Sequence, residues 1–225
     1  MANFTFVSTD YGAVDLIINS SSKAEYILLL AHGAGAGMTH PFMEQVAEAF
    51  SESIFTVVRF NFAYMQNGKK LPDSPTKAHH VIEKVYEFAL KNLPDLPIIL
   101  SGKSYGGRMS SQFTALNNTD IFGLIFFGFP LHAMGKPSID RADHLKEISK
   151  PILFLQGSRD KLAQLDLMKD VAAKLPLAKL HVIENADHSF NIPKKSIINN
   201  LSVFQVFVNE AVTWITQNTS LNYSV

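Results

Sequence analysis

The stretch "LSGKSYGGR" at positions 100–108 decides which fold and which chemistry the sequence encodes. Its Gly-Lys-Ser at 102–104 matches the end of a phosphate-binding P-loop, whereas its Gly-x-Ser-x-Gly at 102–106 matches the turn that presents a nucleophilic serine. A P-loop needs another glycine five residues before the first glycine of this motif, and Pro97 stands there. Because proline has no backbone N–H to bind phosphate, the P-loop interpretation fails.

The surroundings of the motif favour the nucleophile turn. Pro97–Leu100 predicts a short buried strand that leads into the motif, and a helix is expected just beyond Ser104. A nucleophile on such a tight turn needs neighbours without side chains, since a side chain would clash with the strand or the helix. Gly102, Gly106 and Gly107 meet this requirement.

The two partners of a nucleophilic serine follow in the order Ser, Asp, His. The apolar segment "PILFLQ" predicts a strand and places Asp160 just past its end, and "LHVI" does the same for His188. We predict Ser104 as the nucleophile, His188 as the general base and Asp160 as the carboxylate that orients it. Asp187 is the rival carboxylate, but a neighbour in sequence rarely folds back onto the imidazole.

Backbone N–H groups are expected to stabilise the oxyanion. One should come from Tyr105 and one from the loop "HGAGAG", where Ala34 is the predicted donor and Gly35 the alternative. His32 in the same loop is interpreted as a structural brace. Lys103, next to the nucleophile, is expected to point away from the site into solvent or against a helix.

Short apolar strands alternate with amphipathic segments, which predicts a mostly parallel sheet with helices on both faces. Together with the order of the three residues, this predicts an α/β protein with the α/β-hydrolase fold, as a single domain over 1–225 with a frayed tail at 216–225. The predicted helices are Pro41–Phe50, Lys77–Lys91, Met109–Leu116 and about Val203–Thr216.

Composition excludes several classes of protein. The 225 residues are 47% hydrophobic and 18% charged with a formal net charge of zero, which argues against nucleic-acid or membrane-surface partners. The absence of cysteine excludes thiolate chemistry. No secretory signal is visible at the N-terminus, so a cytoplasmic protein is expected. His79 and His80 lack the spacing of metal ligands, and neither a metal nor a cofactor is predicted.

The size of the substrate is only weakly bounded. Just over twenty residues separate Phe129 from Pro151, where this fold usually carries its lid, so at most one short helix fits and the site should be open. The residues expected to line it are Phe62, Tyr64, Phe129, Pro130 and His132.

Six stretches of the sequence match a known family, and together they span most of the chain between His32 and Phe190. They are "HGAGAGMTHPFM", "RFNFAYMQNGKKLPD", "SGKSYGGRMSS", "FFGFPLHAMGKP", "LFLQGSRD" and "ADHSF". Through them the sequence resembles the α/β-hydrolase superfamily near its dienelactone-hydrolase-like branch. It is most similar to a small family of predicted hydrolases that includes a testis-expressed protein and a subunit of a non-specific lethal chromatin complex. The sequence departs from that pattern at Ala63, where proline is expected, and at Tyr105, where methionine or leucine is usual.

Dienelactone hydrolases use a cysteine nucleophile, so their specific activity is not carried over. The sequence predicts a serine hydrolase that cleaves small carboxylic esters or thioesters through an acyl-enzyme, with a small acyl substrate as its partner. The alternative is a non-catalytic binding module on the same scaffold, because one branch of the resembling family serves as an interaction subunit. The oligomeric state is not predicted.

Overall fold

The computed structural model describes residues 2–193 and 202–222, which form one eight-stranded sheet with helices on both faces. The strands lie in the order β1-β2-β4-β3-β5-β6-β7-β8. Their bounds are β1 (Ala2–Thr9), β2 (Gly12–Asn19), β3 (Tyr26–Ala31), β4 (Phe55–Phe60), β5 (Ile98–Lys103), β6 (Gly123–Phe127), β7 (Ile152–Gly157) and β8 (Ala178–Ile183).

Strands β4, β3, β5, β6, β7 and β8 run parallel to one another. At one edge of the sheet, β2 pairs antiparallel with both β4 and β1. Strands β3 and β6 are continuous apolar runs and completely buried, because helices cover both faces of the sheet. In such a sheet the carboxyl ends of the parallel strands meet at one edge, where the loops can bring reactive groups together.

Two layers of helices cover the sheet. The helices are α1 (Pro41–Ser51), α2 (Ala63–Gln66), α3 (Pro75–Asn92), α4 (Tyr105–Leu116), α5 (Leu165–Ala173) and α6 (Val203–Asn222). One apolar cluster joins the sheet to α3, α4 and α5, and the other joins it to α1 and α6. Trp214 of α6 is buried in the second cluster. The predicted α/β-hydrolase architecture is therefore confirmed.

Three elements differ from the sequence predictions. Helices α2 and α5 are not predicted from the sequence: α2 has only four residues, and α5 has nine residues after the polar loop 158–164. Helix α6 continues to Asn222, beyond the end at about Thr216 that the sequence predicts. Polar side chains sustain this last stretch by bonding to carbonyls one turn back, as Asn218 does to Trp214 and Thr219 to Ile215. Residues 223–225 lie outside the described part.

The segment between β6 and β7 carries one short 3₁₀ helix, Asp140–Glu147, and no larger insertion. This matches the minimal lid predicted from its length. Within residues 2–193 and 202–222, no helix combines the length and the apolar character needed to cross a membrane.

Candidate active site

Ser104 occupies the sharp turn between β5 and α4. Its backbone has φ 50° and ψ −111°, a conformation that non-glycine residues seldom adopt. The turn is tight because β5 and α4 touch at their glycines: a Cβ on Gly102 would lie 2.5 Å from the backbone of Gly106, and one on Gly106 would lie 2.5 Å from the carbonyl oxygen of Ala31. The serine N–H donates to the carbonyl of Phe127 on β6, which fixes the turn against the sheet.

Ser104, His188 and Asp160 form a continuous chain of hydrogen bonds. Ser104 Oγ lies 2.8 Å from Nε2 of His188, and Nδ1 of His188 lies 2.7 Å from Oδ2 of Asp160. The structure thus brings together the three residues that the sequence singled out. With Nδ1 protonated and bonded to the carboxylate, Nε2 is free to accept the serine proton, which is the arrangement that activates a hydroxyl nucleophile.

The Asp160 carboxylate is buried, and both of its oxygens accept hydrogen bonds. Besides the imidazole, Oδ2 accepts from the Gln156 amide at 2.6 Å, and Oδ1 accepts from the backbone N–H of Leu162 at 2.7 Å. Gln156 is itself buried on β7, and its side-chain oxygen Oε1 accepts from the backbone N–H of Phe129. Sequence reasoning missed Gln156, although a single amide at the end of the apolar run "PILFLQ" was the available signal.

The rival carboxylate, Asp187, does not contact the imidazole. It accepts instead from the backbone N–H groups of Ser189 and Asn191 and from the Asn191 amide. Burial acts to raise the pKa of Asp187, but these hydrogen bonds and the positive charge of Arg159 together outweigh it and lower the pKa. Asp187 therefore shapes the loop that carries His188, whereas Asp160 alone orients the ring.

The two backbone N–H groups predicted to stabilise the oxyanion, those of Tyr105 and Ala34, are not engaged by other acceptors in the described part of the chain. Tyr105 is the first residue of α4, so its N–H has no acceptor within the helix. Within the described part of the chain the N–H of Ala34 has no hydrogen-bond acceptor, whereas that of Gly35 donates to the Tyr64 hydroxyl at 3.4 Å. This difference favours Ala34 over Gly35 as the second donor.

His32 braces the loop that carries Ala34. The ring is completely buried, its Nδ1 donates to the carbonyl of Gly33 at 2.8 Å, and its Nε2 accepts from the N–H of Phe62 at 3.0 Å. Because Nε2 accepts a hydrogen bond, the ring must be neutral with its proton on Nδ1. Burial lowers the pKa of His32 to about 4, so it stays neutral under ordinary conditions.

A cleft of about 480 Å³ lies in front of Ser104. His188 and the glycine-rich loop at Ala34 form one side, and Phe42, Met43 and Leu162 supply apolar surface. A larger cavity of about 720 Å³ lies at the amino ends of β5, β6 and β7. Because Ser104 and its partners lie at the opposite, carboxyl edge of the sheet, the smaller cleft is the candidate active site.

The residues predicted to line the site do not line this cleft. Phe62, Tyr64 and Phe129 are completely buried in the apolar cluster beneath α3 and α4, and Pro130 is buried beside them. His132 faces a separate cavity of about 620 Å³ on the far side of Asp160. The correction has a simple cause: the loops after β4 and β6 fold their apolar side chains inward, where burial stabilises them.

Tyr105 also faces away from the cleft. Its ring packs edge-on against Phe62 and Tyr64, and its hydroxyl donates to the carbonyl of Asp73 at 2.8 Å. Burial and the nearby Asp73 carboxylate raise the pKa of this phenol, so it remains protonated. Tyr105 is therefore expected to act through its backbone N–H rather than its side chain.

Lys103 differs most from its predicted position. Its side chain does not turn away from the site: it is partly buried, lines the cleft, and donates from Nζ to the carbonyl of His188 at 2.7 Å. It also lies against the ring of Phe42 on α1, so the expected contact with a helix is present. The charged end of the side chain therefore belongs to the candidate site.

Metal-binding groups are not assembled in the described residues. Within 2–193 and 202–222, no three His, Cys, Asp or Glu side chains are close enough together to hold a metal ion.

Solved structures with the same fold cover nearly the whole chain. A serine hydrolase without a lid from Xanthomonas campestris has a TM-score of 0.73 at 19% identity, with 93% of this chain and 94% of that one covered. The dienelactone hydrolase of Anabaena variabilis reaches 0.77 at 17% identity, with 96% and 97% covered. A protein from Butyrivibrio proteoclasticus with ferulic acid bound reaches 0.76 at 15% identity, with 94% and 99% covered.

At these identities the likeness establishes the fold. The sequence itself matches the family model of the alpha/beta hydrolase domain over residues 24–216, which includes the serine, aspartate and histidine of the hydrogen-bonded chain. The chain therefore belongs to the alpha/beta hydrolase domain family.

Proposed function

We propose that this protein is a serine hydrolase that cleaves small carboxylic esters or thioesters. One observation carries the proposal: the unbroken chain of hydrogen bonds from Ser104 through His188 to Asp160, at 2.8 and 2.7 Å. A serine hydroxyl is a weak nucleophile until a base removes its proton, and the base needs a fixed orientation to do so. Ser104 and His188 both border the same cleft.

The proposed reaction has two halves. Ser104 Oγ attacks the carbonyl carbon of the ester while Nε2 of His188 takes the hydroxyl proton. The resulting oxyanion accepts hydrogen bonds from the N–H groups of Tyr105 and Ala34. As the C–O or C–S bond of the leaving group breaks, His188 returns the proton to the departing oxygen or sulfur, and the acyl group remains on Ser104.

Water then completes the cycle. His188 removes a proton from a water molecule, whose oxygen attacks the acyl-enzyme carbonyl, and the same proton is returned to Ser104 Oγ as the acid leaves. The Asp160 carboxylate stabilises the imidazolium that forms twice in each turnover. Its bonds to Gln156 and Leu162 hold the carboxylate in place for this role.

The cleft supports a small, mostly apolar acyl group. Phe42, Met43 and Leu162 supply its apolar surface, and its volume of about 480 Å³ is near the lower end of the range of small-molecule sites. The short segment between β6 and β7 adds no cap over it. We infer that neutral esters with short acyl chains are the preferred class.

The test is turnover of p-nitrophenyl esters from acetyl to octanoyl and of the matching acyl thioesters, with Ser104→Ala as the control. We expect hydrolysis by the wild-type protein and its loss in the variant, which should remain folded by circular dichroism. Equal turnover by both proteins would contradict the proposal. Folded wild-type protein that hydrolyses none of these substrates would favour the alternative predicted from sequence, a non-catalytic binding module.

A further inference from the structure

The side chain of Lys103 connects the nucleophile turn to the loop of the proposed base. Lys103 is the last residue of β5 and directly precedes Ser104. Its Nζ donates to the backbone carbonyl of His188 at 2.7 Å, across 85 positions of sequence. A single hydrogen bond therefore links the strand that positions the serine to the residue that must accept the serine proton.

Aromatic rings and close backbone packing confine the Lys103 ammonium group. Its Nζ lies 5.8 Å from the ring centre of Phe42 on α1 and 5.5 Å from that of Phe190 in the loop after β8. Both distances are within the range of cation–π attraction. A Cβ on Gly128 would lie 3.2 Å from Nζ, so the backbone after β6 closes a third side. The ammonium group has little freedom to turn toward a substrate.

Burial and the neighbouring carboxylates shift the pKa of Lys103 in opposite directions. Burial lowers its pKa to about 8, while the carboxylates of Asp160 and Asp187 act in the opposite direction. The other titratable groups that border the same cleft are His188 and His40. At neutral pH the lysine is mostly protonated and holds the carbonyl with a charge-assisted hydrogen bond, which is stronger than a neutral one.

His188 needs an anchor on its backbone as well as on its ring. The ring is fixed at Nδ1 by Asp160 and meets Ser104 at Nε2, but these bonds leave the peptide free to tilt. The loop on either side has left-handed backbone at Asn185 (φ 60°) and Phe190 (φ 63°), so it departs from regular structure. The bond from Lys103 supplies a fixed point within it.

We propose that Lys103 is a positioning residue that holds the backbone of His188 and so fixes the distance between the imidazole and Ser104. The inference rests on the proposed function, in which His188 is the base. It assigns no contact with substrate to Lys103, so removing its ammonium group should affect the chemical step and leave substrate binding nearly unchanged.

The test compares Lys103→Met with the wild-type protein. Methionine retains a long apolar side chain between Phe42 and Phe190 but has no N–H to donate. We expect kcat to fall about 10- to 100-fold, since small misplacements of a catalytic group have effects of this size, while KM changes less than about threefold. Lys136→Met removes an exposed lysine and should leave both constants unchanged.

The pH profile provides a second readout. Above pH 8 Lys103 loses its proton, so the wild-type kcat should decline there, and this decline should be absent in Lys103→Met. A variant with the wild-type kcat and the wild-type alkaline decline would overturn the proposal. A rise in KM with kcat unchanged would overturn it as well, because it would place Lys103 in contact with the substrate.

A spectroscopic readout separates this inference from the proposed function. The proton shared by His188 and Asp160 should give a low-field resonance, assigned by its loss in Asp160→Asn. We expect that resonance to shift or broaden in Lys103→Met. If the variant does not fold, the proposal is tested on the wild-type protein alone. The low-field resonance should then change with pH over the same range as the ¹³Cε signal of Lys103. Independence of the two signals would overturn the proposal, even if the protein hydrolyses no ester.

Discussion

Nε2 of His188 lies 2.8 Å from Oγ of Ser104, although 84 positions separate the two residues in the chain. The topology explains the contact. Ser104 follows β5, Asp160 follows β7 and His188 comes after β8, and these strands run parallel within one half of the sheet. Because their carboxyl ends share an edge, three loops deliver the three side chains to one place.

Removal of the Asp160 charge should abolish most activity. In Asp160→Asn the amide can no longer hold the tautomer of His188 in which Nδ1 carries the proton. We expect kcat for ester hydrolysis to fall about 10⁴-fold with little change in KM. Steady-state kinetics on a p-nitrophenyl ester would measure this loss.

Asp187→Asn is the matched control, because Asp187 adjoins His188 but its carboxylate accepts hydrogen bonds from Ser189 and Asn191 of its own loop. We expect kcat to fall less than about tenfold, through loosening of that loop. A larger loss in Asp187→Asn than in Asp160→Asn would reverse the roles assigned to the two carboxylates.

A larger side chain at Leu162 should select against long acyl groups. Leu162 is partly exposed and borders the cleft, so Leu162→Trp would fill part of its volume. We expect kcat/KM for octanoyl esters to fall at least tenfold relative to acetyl esters, since a few methylene groups differ by this much in a pocket. Leu165→Trp, which faces the cavity beside His132, should leave the ratio as it is. Equal sensitivity in the two variants would argue against this cleft as the acyl site.

Backbone strain at Ser104 should appear in stability measurements. With φ 50° and ψ −111° the residue lies where glycine is favoured, and such strain amounts to about 1–3 kcal/mol. Ser104→Gly should therefore have a free energy of unfolding about 1 kcal/mol higher than Ser104→Ala, measured with urea. Both variants lose the hydroxyl, so the comparison isolates the backbone.

A reference pair in α4 should give the opposite sign. Ala115 lies within the helix, where glycine is less favourable than alanine, so Ala115→Gly should lower stability by about 1 kcal/mol. If glycine were the less stable residue at position 104 as well, the turn would not be strained.

Stability should decline in mild acid because of His32. Its folded pKa of about 4 lies below the ordinary value of 6.5, so the unfolded chain binds a proton that the folded protein excludes. The contribution of His32 to the free energy of unfolding is fully present above pH 6.5 and decreases as the pH falls toward 4. Between pH 7 and pH 5 it decreases by about 2 kcal/mol. His144, whose pKa is also lowered to about 4, acts in the same direction.

Urea unfolding at the two pH values checks this expectation. His32→Gln should be less stable at pH 7, because it loses the hydrogen bonds to Gly33 and Phe62, and its stability should depend less on pH. A variant with the full wild-type pH dependence would show that His32 is not its source.

The sequence contained enough to place the hydrogen-bonded residues but not the walls of the cleft. Asp160 and His188 could be predicted because each follows an apolar strand, and a parallel sheet dictates where such positions meet. Phe62 and Phe129 also follow strands, yet they turn inward. The direction of a loop depends on contacts between segments far apart in sequence, and these leave no periodic pattern.

Lys103 illustrates the same limit. Alternation along the chain from Ser104 predicts that the side chain of Lys103 points away from the site. Its four methylene groups nevertheless carry the ammonium to the carbonyl of His188. The rings of Phe42 and Phe190 cover it there, and both come from distant segments. Only the assembled structure combines these three contributions.

The central claim is that Ser104 is an activated nucleophile, and covalent labelling tests it most directly. Folded wild-type protein would be treated with a fluorophosphonate and examined by intact mass and peptide mass spectrometry, with Ser104→Ala and His188→Gln alongside. The account predicts one adduct on the peptide that contains Ser104, none in Ser104→Ala and much slower labelling in His188→Gln. Folded wild-type protein that stays unlabelled, or that is labelled equally fast without His188, would contradict it.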